Sequence, residues 1–163
     1  MGVFRIGDKA VYPSQGVGEV TGIERREVAG LQRMFYILRI LESGMTVMVP
    51  TENATTVGLR EIIPSSDVKK VFAILRRKEL AVSRQTWNRR YREYMEKIKT
   101  GSVFEVAEVL RELSLLRGRK DLSFSERKML ETARTLLVQE LALARHTKES
   151  RIQQELDAIF TSV

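Results

Sequence analysis

The spacing of apolar residues changes once along this chain, at the stretch IIPSSD, residues 62–67. Before that point, short β-branched and aromatic runs are broken by glycine, which is typical of strands and turns. After it, apolar residues recur every three or four positions, which is typical of amphipathic helices. The sequence therefore predicts an α+β chain of two domains, a β domain over residues 1–64 and a helical domain over residues 65–163.

The first part contains five strand-like runs within about 60 residues, which favours a small twisted β-barrel. The dipeptides Ala29-Gly30 and Ser43-Gly44 separate runs that could pair as hairpins. Turn residues and strand lengths thus agree on a meander.

The second part contains five apolar stripes with helical spacing, which predicts a compact bundle of about five helices. Ser65 or Ser66 can cap the first helix, and capping boxes Ser102–Glu105 and Ser123–Glu126 begin the third and fourth. The main stripe residues are Val68, Val71, Phe72 and Leu75; Trp87, Tyr91, Met95 and Ile98; Val103, Val106, Ala107, Leu110 and Leu113; Met129, Leu130, Ala133, Leu136, Leu137 and Leu141; and Ile152, Leu156, Ile159 and Phe160.

Basic residues are concentrated in the helical part. Residues 1–65 carry seven basic and seven acidic residues, whereas residues 66–163 carry 21 and 14, so the whole net charge of +7 lies there. The excess is greatest over residues 69–99, with 11 basic and three acidic residues. Such a local basic patch favours a polyanionic partner, for which nucleic acid and an anionic membrane are the usual candidates.

Enzyme and metal chemistry have little support in the sequence. The chain has no cysteine, which excludes disulfides, thiolate zinc ligands and cysteine nucleophiles. The glycines of GVGEVTG, residues 16–22, lack dinucleotide-binding spacing, and no helix is predicted after them. His146 lies beside a predicted helix end, where an imidazolium suits the helix dipole. We therefore expect no enzymatic activity, no cofactor, no metal and no small-molecule substrate.

Neither a transmembrane segment nor a signal peptide is expected. No run of 18 apolar residues occurs, and the first residues enter a strand-like pattern at once. These features predict a cytoplasmic protein. A helix around residues 86–99 that lies on an anionic membrane is an alternative, but that helix lacks a broad apolar face.

Several motifs together resemble the CarD/CdnL family of bacterial transcription regulators. The resemblance covers essentially the whole chain and is carried by FRIGDKAVYPSQGVGEVTGIE, VMVP, VGLREII, WNRRYREYMEKIKTGSVFEVAEVLREL and LSFSERKMLETAR. It implies an N-terminal Tudor-like domain, shared with transcription-repair coupling factors, that binds the β subunit of RNA polymerase. It also implies a helical domain that contacts promoter DNA at the upstream edge of the melted region.

Trp87, the single tryptophan, is the critical residue of the helical domain. Its place in an apolar stripe favours burial, whereas its place in the first turn of a basic helix favours exposure. With the resemblance included, we expect an exposed indole that wedges against an unstacked base. The resemblance also implies that arginines contact the DNA backbone without reading sequence; each of them could instead be a solvated helix residue. They are Arg89, Arg90, Arg92 and Arg127.

The resemblance implies a polymerase-binding strand edge in the β domain, which agrees with that domain's zero net charge. The implied contact residues are Arg25, Arg26, Ile37, Met48 and Pro50. Some family members carry a basic residue where this chain has Met48, so we expect a more apolar contact here. Burial of Ile37 and Met48 in the core of the β domain is the alternative.

The resulting prediction is a monomeric, non-enzymatic regulator that bridges RNA polymerase and promoter DNA and stabilises the open complex. The alternative is a cytosolic interaction adaptor whose basic helices bind RNA, ribosomes or an acidic protein.

Overall fold

The computed structural model describes residues 4–78 and 87–161, with the backbone alone described at residues 87 and 88. The chain divides into two compact units, Met1–Ile62 and Ile63–Val163. The first unit is a β-sheet and the second is helical, as the change of apolar spacing predicts. Within the described ranges, no helix is both long and apolar enough to cross a membrane.

The first unit is an antiparallel five-stranded sheet with a short 3-10 helix, Thr51–Asn53, before its last strand. The strand order in space is β4-β3-β2-β1-β5. The strands are β1 Lys9–Tyr12, β2 Gly16–Val28, β3 Leu31–Ile40, β4 Thr46–Pro50 and β5 Arg60–Glu61.

This twisted sheet is open, so the predicted barrel closure is wrong. Among the described residues, no strand pairing joins β4 to β5. The reason is the length of β5, which has only two residues and pairs with Ala10 and Val11 of β1. Closure of a barrel requires a continuous set of paired strands, and so short a strand cannot complete it.

Both predicted hairpins form. Ala29 and Gly30 have φ of 53° and 79°, the left-handed pair that a two-residue hairpin turn requires, and Val28 faces Leu31 across it. Gly44, with φ of 73°, turns the chain between β3 and β4. Gly18 allows a close approach, because a Cβ there would lie 2.7 Å from the Cγ of Leu38. Within GVGEVTG, Gly18 therefore serves the packing of β2 against β3, and Gly16 has a φ of 93°.

One face of the sheet forms the core of the first unit. Tyr36 is fully buried, accepts a hydrogen bond from the Phe4 amide at 3.2 Å and meets the Phe4 ring edge to face at 5.6 Å. The other members of this core are Ala10, Val20, Leu38, Ile40, Val49, Ala54 and Leu59.

In residues 63–78 and 87–161, the described part of the second unit, there are five helices, as predicted. They are α1 Ser65–Leu75, α2 Trp87–Lys99, α3 Val103–Arg117, α4 Phe124–Arg145 and α5 Glu149–Thr161. The predicted stripe of α1 is its buried face, and Ile152 and Leu156 are the buried residues of α5. His146 ends α4 in the left-handed conformation.

The helix starts agree less well with the predicted caps. The Ser123–Glu126 capping box is present, with hydrogen bonds of 3.2 Å and 2.9 Å. Ser102 precedes α3, but its side chain makes no capping bond and its amide donates to Thr100 Oγ1. The cap of α1 is Pro64, because the helix already begins at Ser65. These two predicted caps are therefore wrong.

Candidate functional site

Three of the four arginines that are predicted to contact DNA lie on α2, and the fourth, Arg127, lies on α4. Arg89 and Arg92 are exposed, whereas Arg90 is partly buried. Trp87 is the first residue of α2, but its side chain lies outside the described part of the structure. The prediction that Trp87 is an exposed wedge therefore also falls outside the described residues. The described arginines therefore divide into two that face solvent and one that is turned towards the protein.

The buried face of α2 differs from the predicted stripe. Tyr94 and Ile98 are buried, Met95 is partly buried and Tyr91 is 40% exposed. Tyr94 hydrogen-bonds the Glu112 side chain on α3. This polar contact brings the Tyr94 side of α2 against α3. Tyr91 lies on that same side, three residues earlier, but the burial predicted for it is incomplete.

Two polar contacts between α2 and α3 also have electrostatic consequences. Burial raises the pKa of Tyr94, and the neighbouring Glu112 carboxylate raises it further, so the phenol stays protonated and can donate. Lys97 Nζ lies 2.9 Å from Glu108 Oε2. Partial burial lowers the pKa of Lys97, but Glu108 and its acidic neighbours outweigh that effect, and the pKa is raised overall. Lys97 is therefore a charged partner of α3.

These contacts also fix the direction of α2 relative to α3. Lys97, late in α2, contacts Glu108, whereas the earlier Tyr94 contacts the later Glu112, so the two helices run antiparallel. The start of α2 therefore lies at the same end of the helical unit as the end of α3 and the start of α4. Arg127, in the first turn of α4, is exposed at that end. The structure thus brings Arg89, Arg92 and Arg127 to one end of the bundle.

Sequence reasoning missed an exposed phenylalanine at this end. Phe124, the first residue of α4, is 72% exposed, and the Lys128 ammonium lies 5.9 Å from its ring centroid. The sequence does indicate that Phe124 is exposed, because Phe124 and Ala133 are nine residues apart and so lie on opposite sides of the helix. Ala133 belongs to the apolar stripe of α4. We name the group of Arg89, Arg92, Phe124 and Arg127 the DNA-facing end, after the role that we propose for it.

The predicted polymerase-binding residues lie on the β2–β4 part of the sheet. Ile37 and Met48 are direct cross-strand partners, and Pro50 faces Phe35 two positions away. Met48 is 40% exposed and Ile37 is partly buried, and both lie on the sheet face opposite Tyr36 and Leu38. The alternative that they form the core is therefore wrong. Because β4 is an edge strand, Met48 and Pro50 lie at the rim of the sheet.

The two predicted arginines of this unit do not lie together. Arg25 faces Met34 and Arg26 faces Arg33 across the β2–β3 hairpin. Because successive side chains of a strand point to opposite faces, only Arg26 shares the face of Ile37 and Met48. Arg26 also makes a 2.8 Å ion pair with Glu24. We define the edge patch as Ile37, Met48 and Pro50, with Arg26 beyond it on the same face.

Comparison with known proteins identifies the family. Residues 4–63 match the CarD-like/TRCF RID domain, and residues 70–157 match the CarD C-terminal domain. The chain is also 34% identical over 151 residues to the putative transcription factor YdeB of Bacillus subtilis (strain 168), with 93% of this chain and 98% of that protein covered. The chain belongs to the CarD/CdnL family.

Two solved structures of CarD/CdnL proteins match the first unit. CdnLNt from Myxococcus xanthus is 62% identical, covering 39% of this chain and 89% of that chain, with a TM-score of 0.33. The 72-residue N-terminal domain of Myxococcus xanthus CarD, solved by NMR, is 41% identical, covering 36% and 77%, with a TM-score of 0.32.

Membership of the CarD/CdnL family makes this chain a transcription-related regulator that interacts with RNA polymerase, with a Tudor-like N-terminal domain. The family consists of transcription factors and not of known enzymes. In the part of the chain that the structure describes, no group of three or more acidic or histidine side chains could hold a metal ion.

Proposed function

We propose that this CarD-family protein stabilises the promoter open complex by linking RNA polymerase to DNA at the upstream edge of the melted region. The β unit binds the polymerase β subunit through the edge patch, and the helical unit contacts DNA. The observation that carries the proposal is the DNA-facing end, where exposed arginines of α2 and α4 lie at the same end of the bundle as an exposed phenylalanine.

The arginines supply affinity without sequence reading. Guanidinium groups pair with phosphate oxygens, and each neutralised phosphate releases counterions, so affinity falls as salt rises. Arg89 and Arg92 on α2 and Arg127 on α4 approach from two helices, which suits contact with a continuous backbone. We expect the free protein to bind DNA weakly and without sequence preference.

Apolar side chains at the same end supply the preference for melted DNA. A ring that stacks on an unpaired base gains a contact that closed duplex does not offer, worth about 1–3 kcal/mol. Phe124 is available for such a contact, and Trp87, at the start of α2, is the proposed wedge on the grounds of sequence and family resemblance. This difference between melted and closed DNA is what would lengthen the lifetime of the open complex.

The edge patch supports the proposed polymerase contact. β4 has an unpaired side, so a strand of the β subunit can add to the sheet by main-chain hydrogen bonds. Met48 and Ile37 then offer an apolar surface, and Arg26 lies farther along the same face. The proposal treats the protein as a monomer with one unit for each partner.

The test is the lifetime of open complexes formed by purified polymerase on a promoter, measured after addition of a competitor. The protein should lengthen this lifetime, and Arg89→Ala and Arg127→Ala should each reduce the gain and lower the salt slope of binding by about 1. The matched control is Arg151→Ala, because Arg151 is exposed at the start of α5. Because α4 runs on from Arg127 to Arg145, the start of α5 lies about 27 Å from Arg127 along the axis of α4.

An unchanged lifetime with wild-type protein would contradict the proposal and favour an adaptor that binds RNA, ribosomes or an acidic protein. Equal losses with Arg151→Ala and Arg127→Ala would also contradict it, because overall charge would then explain the effect.

A further inference from the structure

Three glutamates of α3 form an acidic stripe that faces the basic helix α2. Glu105, Glu108 and Glu112 are spaced so that all three lie on one side of the helix. Lys97 of α2 is influenced by all three charges, with Glu108 in direct contact at 2.9 Å. The acidic stripe, defined by these three residues, is therefore the surface on which α2 docks.

The apolar contribution of α2 to this docking is small. Of the side chains described between residues 89 and 99, only Tyr94 and Ile98 are buried. Tyr94 itself combines a buried ring with a hydrogen bond to Glu112. Tyr91 and Met95 lie on the same side of α2 as these two residues but remain partly exposed, so the apolar contact is narrow.

The polar contacts choose one rotation. Tyr94 and Lys97 are one turn apart on the same side of α2, and both contact the acidic stripe. At 100° per residue, Arg89 and Arg92 lie about 140–160° around the helix from Tyr94. Measured from Lys97, the angles are about 80° for Arg89 and about 140° for Arg92. A helix held through Tyr94 and Lys97 therefore directs Arg92 away from α3 and Arg89 to the side.

We propose that Glu108 and Glu112 are positioning residues that set the rotation of α2 and so aim Arg89 and Arg92 at DNA. This inference rests on the proposed function for its consequence, but the docking itself is independent of DNA. Glu108 and Glu112 touch no phosphate; they act through Lys97 and Tyr94.

Whether open-complex lifetime rises or falls in Glu108→Gln and Glu112→Gln distinguishes a positioning role from an effect of net charge. Glu108→Gln or Glu112→Gln removes one negative charge and raises the net charge from +7 to +8. If only net charge mattered, either variant would bind DNA more tightly and lengthen open-complex lifetime. If rotation matters, both variants shorten it, although they are more basic. Glu131→Gln is the control, because Glu131 is exposed on α4 and the charge change is the same.

A second readout measures docking without DNA or polymerase. Hydrogen exchange of the α2 amides in the free protein should accelerate about twofold to fivefold in Glu108→Gln, as expected for one partly exposed ion pair, while α4 amides stay unchanged. Tyr94→Phe should accelerate the same amides with no change of net charge. Lys97→Gln combined with Glu108→Gln should add little to either single change, because both remove the same contact.

The outcomes are distinguishable. Unchanged α2 exchange in Glu108→Gln, Glu112→Gln and Tyr94→Phe overturns the positioning role, whatever happens on DNA. The positioning role is also overturned if the Glu108 and Glu112 variants show accelerated hydrogen exchange of α2 but the same open-complex lifetime as Glu131→Gln. This conclusion requires that Arg89→Ala shortens the lifetime. Accelerated exchange with no lifetime effect from Arg89→Ala refutes the proposed function and the aiming of the arginines, while it supports docking by the acidic stripe.

Discussion

Phe124→Ala tests the DNA-facing end most directly, because stability and function should respond differently. Phe124 is 72% exposed, so a little over a quarter of its surface is buried. Full burial of a phenylalanine is worth about 1.5–3 kcal/mol, so the buried part contributes about 0.4–0.8 kcal/mol. Alanine has the higher helix propensity by about 0.5 kcal/mol, which offsets most of that loss. The free energy of unfolding should therefore fall by less than about 1 kcal/mol.

The functional effect should be much larger. If the ring contacts an unstacked base, its removal costs at least about 1 kcal/mol of open-complex stability, which is roughly a fivefold shorter lifetime. The assays are denaturant unfolding of the free protein and competitor-challenged open complexes with purified polymerase. Leu137→Ala is the contrasting variant, because Leu137 is fully buried in the same helix and its truncation should cost about 2–5 kcal/mol.

Two results would refute this reasoning. A loss above about 2 kcal/mol in Phe124→Ala would mean that the ring is packed, since a large loss requires a buried side chain. Unchanged stability with unchanged open-complex lifetime would mean that the exposed ring does not contact DNA, and Phe124 would then leave the DNA-facing end.

Three further outcomes are expected. Met48→Glu should weaken polymerase binding in a pull-down, because it introduces a charge into the edge patch, and should leave the melting temperature nearly unchanged; full retention of binding would exclude the edge patch as the contact. Trp87→Ala should shorten open-complex lifetime with little change in stability, and a drop in melting temperature of about ten degrees or more would instead indicate a packed indole. Burial raises the pKa of Glu126, but its hydrogen bonds with Ser123 and the charge of Lys120 lower that pKa by more than burial raises it. The pKa of Glu126 in the folded protein is therefore below its ordinary value of 4.5. The ionised Glu126 side chain therefore contributes its full stabilisation of the fold above pH 4.5, and this contribution is lost as the pH falls through the lower pKa of the folded protein. Glu126→Gln should flatten the dependence of the free energy of unfolding on acidic pH, and an unchanged dependence would contradict this role of Glu126.

The site was predictable in part. The charge distribution and family motifs pointed to α2 and to the β2–β4 strands, and the structure gives Arg89, Arg92, Arg127 and Met48 exposed side chains. It also turns Arg90 partly inward and separates Arg25 from Arg26 on opposite faces of the hairpin. Phe124 went unnoticed, although it lies opposite the apolar stripe of α4, because a phenylalanine in a sequence is ordinarily assigned to the core.

The sequence by itself determined the elements of this protein. The period of the apolar residues separated sheet from helices, Ala29-Gly30 specified a tight hairpin, and Ser123 with Glu126 specified the start of α4. Each of these signals is local, because it depends on backbone conformation or on contacts within one turn. Because these preferences depend only on residues that are near one another in the sequence, they can be predicted without knowledge of the tertiary structure.

Only the tertiary structure decided how these elements meet. The sheet stays open because β5 is too short to close it. The Ser102 amide, which Glu105 would accept from in a capping box, donates instead to Thr100 Oγ1. On α2, Lys97 and Tyr94 contact Glu108 and Glu112, which belong to another helix. Contacts of this kind join residues that are distant in the sequence, so the sequence of α2 by itself does not contain them.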